Sequence, residues 1–536
     1  LLVLLLRSIL LGAGLFALLD LMLEEYRIPR SIIVMSASFA FLGLLSIRLM
    51  IRWIVRLHMV EPQQHEKLQR VVIYGAGSAG LQLYESLRQE GTYRVSAFVD
   101  DNPKLQGGLV RGIAIISFSE FQKLHANNPL DSVLLALPGV KHEQRKKILQ
   151  QIRILKVGVR VLPTADQLMR GTADAAQLQE VDIADLLGRD EIAPDEKLLY
   201  QDIKGRNILV TGAGGSIGSE LCRVILRDSP KILVLLELNE FSLYHAERTF
   251  RRVSSIPIVP CLGSVQDSEL IKHLLHDHQI NTVYHAAAYK HVPLVEENPL
   301  EGLRNNALGT RTLVEKCIEA EVSSFVLIST DKAVRPTNVM GASKRIAELI
   351  VQDTARRFPE RKLGIVRFGN VLDSSGSVVP LFREQIKKRS PITVTHPEIT
   401  RYFMSIGEAA RLVIQAGAMS KNGEVFLLDM GQPVKIKDLA LQMIELSGLV
   451  PEKDIPLQYT GLRPGEKLYE ELLIDPAQSQ PTLHPRIFCS EEPLPEVKVL
   501  EKEISILTEA IEQRDISNAL ASMKRLVPEY NPDNGQ

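Results

Sequence analysis

The chain has 536 residues, too many for one hydrophobic core, so two or three domains are expected. A formal net charge of −1 argues against a general nucleic-acid binder, and no nucleic-acid partner is expected. Four scattered cysteines, Cys222, Cys261, Cys317 and Cys489, form no CxxC pair, which argues against a disulfide framework and against a zinc site and leaves no metal expected.

The chain begins at Leu1, so a processed chain or a fragment is expected. Leu1 to Leu23 is nearly all apolar, with charge only at Arg7 and Asp20. After a short polar turn, a second apolar run goes from Ser31 to Ile47 and on through Ile54, with Arg48, Arg52 and Arg56 interleaved. Each run is about long enough to cross a ~30 Å hydrocarbon core. Trp53 and the arginines suit a membrane interface. Two transmembrane helices over 1–60, in contact with membrane lipid, are expected, with everything downstream on the cytoplasmic side. A buried helical hairpin is the competing account.

Residues 61–170 are expected to form a first Rossmann-like domain. An apolar strand, Val71 to Tyr74, runs into Gly75, Gly77 and Gly80, and a helical pattern follows. A second strand, Val95 to Val99, ends at Asp100 and Asp101, about where a ribose ligand belongs. The same glycines also permit close helix–strand packing, so a bound nucleotide is left open. Residues 171–200 are polar and read as a linker with a short helix.

Residues 201–495 repeat the βαβ pattern. The strand Asn207–Thr211 leads into Gly212, Gly215 and Gly218, spaced three apart, with Ser216 and Ile217 adding backbone donors at a helix start. The next strand ends on Glu237, whose carboxylate would hold both ribose hydroxyls and repel a 2′-phosphate, which favours NAD over NADP. Ser264, Val265 and Asp267 fall near the adenine edge, while Ala286 and Ala287 permit close cofactor approach. Asn306 lies in or at the start of a helix bracing the site. The strand Ser324–Ser329 delivers Thr330, Asp331 and Lys332 at its carboxyl end, the edge that holds the chemistry in a doubly wound sheet. Met340 stands four residues before Lys344, where a short-chain dehydrogenase would have Tyr. A thioether cannot exchange the proton that a phenol can.

Six ordered motifs carry a family resemblance: 211–220, 285–293, 329–333, 367–372, 395–404 and 461–472. On these the chain resembles the long-form, membrane-bound UDP-N-acetylglucosamine 4,6-dehydratases of bacterial polysaccharide and protein-glycan biosynthesis. That long-form group also carries Met at the usual Tyr position. The resemblance implies an α/β fold: N-terminal transmembrane helices, then two Rossmann-like doubly wound domains. The second of these is an extended short-chain dehydrogenase with a small substrate-binding subdomain. A C-terminal helical tail over 496–536, packed on the domain or a partner protomer, a homo-oligomer and a multi-pass place in the bacterial inner membrane are also expected.

The implied reaction takes hydride from C4 of the sugar, removes the C5 proton, expels the C6 hydroxyl as water and returns hydride to C6. Asp331 is the implied acid at C6 and Lys332 the base at C5, the latter if burial lowers its pKa; the sequence leaves the exchange of these two roles open. Thr330 would bond the C4 oxygen, and Lys344 the nicotinamide ribose. Met340 would pack beside sugar or cofactor. Lys290, Asn306, Asn370, Arg401, Arg463 and Glu466 are the expected substrate contacts, since arginine suits phosphate recognition. Two alternatives remain: a UDP-sugar 4-epimerase, and a non-catalytic membrane scaffold holding nucleotide.

Overall fold

The computed structural model describes residues 68–162, 178–181, 183–187, 192–470, 479–490 and 492–532, together with 31–32, 35–36, 38–39, 41–47 and 50. They fall in two units, Leu1–Gln69 and Arg70–Gln536.

The expected transmembrane helices are corrected here. Among the described residues no helix is long and apolar enough to cross a membrane. Residues 1–30 and 51–67 lie outside the described residues. The multi-pass placement in a bacterial inner membrane, with cytoplasmic domains and a membrane-lipid partner, has no support without such helices.

The second unit is built on two sheets. The first comprises β1 (Gln69–Tyr74), β2 (Tyr93–Val99), β3 (Leu109–Val110), β4 (Ile113–Ile116), β5 (Ser132–Leu135), β6 (Gly158–Val161) and β7 (Gln179–Glu180), ordered β3-β4-β2-β1-β5-β6-β7. The buried parts of its central strands, Val71–Tyr74 and Val133–Leu135, are apolar, as expected of strands covered on both faces. The stretch expected as linker contributes β7 and the helix Ile183–Leu187. Asp185 on that helix is buried and takes two hydrogen bonds from Arg145, at 2.9 and 3.0 Å.

The second sheet begins with β8 (Asn207–Thr211), β9 (Ile232–Glu237), β10 (Ile258–Leu262), β11 (Thr282–His285), β12 (Ser324–Thr330) and β13 (Lys362–Phe368). Its order is β10-β9-β8-β11-β12-β13, then Val425–Leu428, Ile487–Ser490 and Ser479–Pro481, with only the last two pairings antiparallel. The order reverses between β8 and β11, so a crevice opens at their carboxyl ends. The α/β Rossmann-like part of the expected fold stands. Short strand pairs such as Asn370–Val371 with Phe403–Met404 and Ile392–Val394 with Leu457–Tyr459 build a smaller subdomain over that crevice. Its helix Ile436–Leu446 packs on the first sheet domain, where Arg153 pairs with Glu445 at 2.9 Å.

The C-terminal tail is two helices, Val497–Glu512 and Ile516–Leu526. Asp515 caps the second by accepting from Asn518 N, and Arg514 takes φ +55°, which breaks the first. Both pack on the core around the second sheet through Leu500, Ile504, Leu507 and Met523.

Candidate active site

A cavity of ≈ 760 Å³ lies at the point of strand reversal. One wall is the turn after β8. Gly212 takes φ +64°, and a Cβ there would lie 2.8 Å from the Ala287 backbone nitrogen. At Gly218 a Cβ would lie 2.0 Å from the Gly212 carbonyl oxygen. Glycine alone lets the helix Ser216–Arg227 begin this close to the strand. Gly212, Gly215, Ser216, Ile217, Gly218 and Ala286 all line the cavity. Across it, Ser375 N donates to Ser216 Oγ at 3.0 Å, so the 373–377 loop meets this turn.

Glu237 closes β9 beside the same turn, where its carboxylate accepts from Gly214 N at 2.9 Å and Asn239 N at 3.0 Å. The expected adenine-edge residues follow β10 and do not line the cavity. Ser264 Oγ accepts from Gln266 N, Val265 is buried, and Asp267 caps the helix Ser268–Asp277 by accepting from Leu270 N at 3.0 Å.

β12 ends where the chemistry was expected. Thr330 donates its hydroxyl to Asp331 Oδ1 at 2.8 Å, and Lys332 Nζ donates to the same oxygen at 3.1 Å. The other oxygen, Asp331 Oδ2, is buried without a hydrogen-bond partner. Thr330 and Lys332 line the cavity, while Asp331 lies behind them, 4% exposed. Burial, aided by the nearby Glu470 charge, pushes the Asp331 carboxyl above its ordinary range.

The expected fall in the Lys332 pKa does not occur. Burial disfavours its charge, but the carboxylates of Asp331 and Glu470 outweigh burial and hold it above the ordinary lysine range. Glu470 is the residue that sequence reading missed. It lies 138 positions from Lys332, yet its Oε1 accepts from Lys332 Nζ at 3.0 Å. It belongs to the 461–472 motif, but beside Glu471 it reads as one of two solvated acids.

Met340 and Lys344 stand one turn apart at the start of the helix Val339–Arg357, and both line the cavity. Burial lowers the Lys344 pKa to about 8, against the opposing pull of Glu348. One turn further, buried Glu348 accepts from Ser329 Oγ at 2.6 Å and from Arg367 at 2.6 and 2.8 Å. At the end of β11, His285 is bonded to Thr211 and Thr310 hydroxyls, and burial lowers its pKa to about 3, so it is a neutral structural group.

The expected substrate contacts are dispersed. Lys290 and Asn370 line the cavity. Asn370 is turned to Glu470, donating to both carboxylate oxygens at 2.9 Å. Arg401 pairs with Glu466 at 3.0 Å and Glu470 at 3.3 Å. Arg463 is exposed, and its backbone N donates to Glu466. Asn306 does not reach the cavity. It is buried, and its amide bridges the Tyr289 backbone to Ser343 Oγ, which makes it a brace for the cavity wall.

Residues 208–492 match the family described as polysaccharide biosynthesis protein, and residues 1–163 match a CoA-binding domain family. The capsular polysaccharide biosynthesis protein CapD of Staphylococcus aureus is 44% identical over 408 residues, 75% of this chain and 68% of that protein. A UDP-N-acetylglucosamine 4,6-dehydratase (inverting) of Campylobacter jejuni is 31% identical over 278 residues, 50% of this chain and 77% of that protein. A UDP-glucose 4-epimerase of Rickettsia canadensis is 32% identical over 272 residues, again 50% and 77%.

Proposed function

The chain belongs to the polysaccharide biosynthesis protein family, with nucleotide-sugar dehydratases and epimerases of the extended short-chain dehydrogenase superfamily among its relatives, and from that premise we propose that it is an NAD-dependent UDP-N-acetylglucosamine 4,6-dehydratase. Its product is a UDP-4-keto-6-deoxy-N-acetylhexosamine. The observation that carries this reading is the Thr330-Asp331-Lys332 cluster at the end of β12, facing a cavity wall that holds Met340 and Lys344.

The residues present fit NAD. The Gly212 and Gly218 positions leave a cradle that any Cβ would fill, and Glu237 stands where ribose hydroxyls would bond. Bound there, NAD supplies hydride acceptance from C4 and hydride return to C6. Lys344 holds the nicotinamide ribose with an ammonium. That ammonium exists below about pH 8, because the folded value lies under the ordinary lysine value of 10.5. NAD affinity, measured by calorimetric titration, is therefore expected to fall as pH rises through about 8 and to lose that dependence in Lys344→Met.

Elimination needs one group to protonate the leaving C6 hydroxyl and another to take the C5 proton. Asp331, its carboxyl held above the ordinary range by burial and by the Glu470 charge, is the donor to C6. Thr330 bonds the C4 oxygen and passes the proton released there to solvent, and solvent recharges Asp331 after the elimination. Lys332, its own proton released to solvent, receives the C5 proton and returns it to C5 as hydride reaches C6.

Incubation of the full chain with NAD and UDP-N-acetylglucosamine should give a product lighter by one water in its mass spectrum; an unchanged mass sinks the proposal. The relative named as a UDP-glucose 4-epimerase favours a second reading, C4 inversion. Epimerisation needs no acid at C6 and leaves the mass unchanged.

A further inference from the structure

Glu470 is assigned no role by the proposed chemistry, yet it is the most heavily bonded carboxylate at the site. Its side chain is 4% exposed. Oε1 accepts from Lys332 Nζ at 3.0 Å and from Asn370 Nδ2 at 2.9 Å, and lies 3.3 Å from Arg401 Nε. Oε2 accepts from Asn370 Nδ2 at 2.9 Å and from Tyr402 N at 3.3 Å. Lys332 therefore sits between two carboxyl groups, Asp331 on one side and Glu470 on the other.

These donors come from separate parts of the chain: β12 and its turn, the Asn370 strand and the Arg401-Tyr402 segment. A carboxylate buried so far is retained as an anion only where it is paired and hydrogen-bonded. The charged and titratable groups facing it are Lys332, Arg401 and Asp331, with Glu466 behind Arg401 and Tyr402 alongside. Such a pile-up of donors on one anion makes Glu470 a poor proton acceptor and a strong counter-ion.

We propose that Glu470 is a positioning residue for the elimination step: it holds Lys332 against Asp331, and its negative charge acts on both members of that pair. This rests on the dehydratase reading above. The physical consequence is specific. Removing the Glu470 charge takes a counter-ion from Lys332, so its proton leaves more easily. It also takes a like charge from Asp331, so that proton leaves more easily too. Both changes point to lower pH.

The test is the pH–rate profile of water loss from UDP-N-acetylglucosamine for the wild-type chain, Glu470→Gln and Glu470→Asp. The glutamine keeps size and a hydrogen-bond acceptor for Lys332 without the charge. Both limbs of its profile are expected to move to lower pH by about one unit or more, while Glu470→Asp restores the wild-type position. Single-turnover hydride transfer from C4, read as NADH absorbance, should persist in Glu470→Gln and serves as the control that the site is folded. A Glu470→Gln profile that keeps its position while only its height falls overturns the assignment. If Glu470→Gln fails to fold, the aspartate variant decides: a profile displaced from the wild-type position despite the retained charge overturns it equally, and an unmoved one supports it. Failure of the wild-type chain to lose water at any pH would instead refute the dehydratase reading, so the two failures are distinct.

Discussion

Asp331→Asn is expected to stop the reaction halfway. The substitution keeps the side chain's size and an oxygen to accept from Thr330 and Lys332, at the positions now bonded at 2.8 and 3.1 Å. It removes the one proton that a leaving C6 hydroxyl needs. Hydroxide is a poor leaving group, and a positioned general acid accounts for about 10²–10⁴ in rate. Water loss should fall by about that factor. Oxidation at C4 uses different atoms and should proceed, so NADH absorbance rises in a single turnover and stays high. Water loss at the wild-type rate in this variant would remove Asp331 from the acid role.

The second large effect concerns the base of the site. Arg367 and Glu348 are both buried to within 3% in their side chains, and Arg367 also bonds Glu492 at 2.5 Å. Arg345 adds a contact to Glu348 at 3.1 Å. Arg367→Met leaves the Glu348 carboxylate with one cation in a dry interior. Breaking such a pair costs about 3–5 kcal/mol, far more than an exposed pair is worth. Chemical denaturation followed by circular dichroism should show that loss, and the double variant Arg367→Met with Glu348→Gln should recover most of it, because no uncompensated charge remains. Acid should act in the same direction. Burial would raise the Glu348 pKa, but Arg367 and Arg345 outweigh it and lower it to about 2 from an ordinary 4.5. Its contribution is complete above about pH 4.5 and is lost as pH falls through about 2. Met340, Lys344 and Glu348 occupy successive turns of one helix face, so this cluster also fixes the cavity wall above it.

What could be read from the sequence was local. The Gly212–Gly218 turn, Glu237 and the Thr330-Asp331-Lys332 triplet each follow an apolar strand in an unbroken run, and strand ends of a doubly wound sheet converge on one crevice. Groups brought together from distant runs were not legible. Glu470 meets Lys332 across 138 positions, and Glu492 meets Arg367 across 125. Each of these acids resembles a solvated one until the fold buries it. Asn306, which the sequence set in a helix bracing the site, has its amide taken by Tyr289 and Ser343. The apolar runs over 1–60 suggested membrane spans by length and hydropathy alone, and no described helix bears that out.

The central claim is that a site with Met340 in place of a phenol performs elimination across C5 and C6 through Asp331 and Lys332. UDP-N-acetylglucosamine carrying deuterium at C4 tests it most directly. Dehydration moves that deuterium to the new C6 methyl group, with loss of one water, and product NMR reads its position. Deuterium found still at C4, on an unchanged or inverted sugar, would contradict the account.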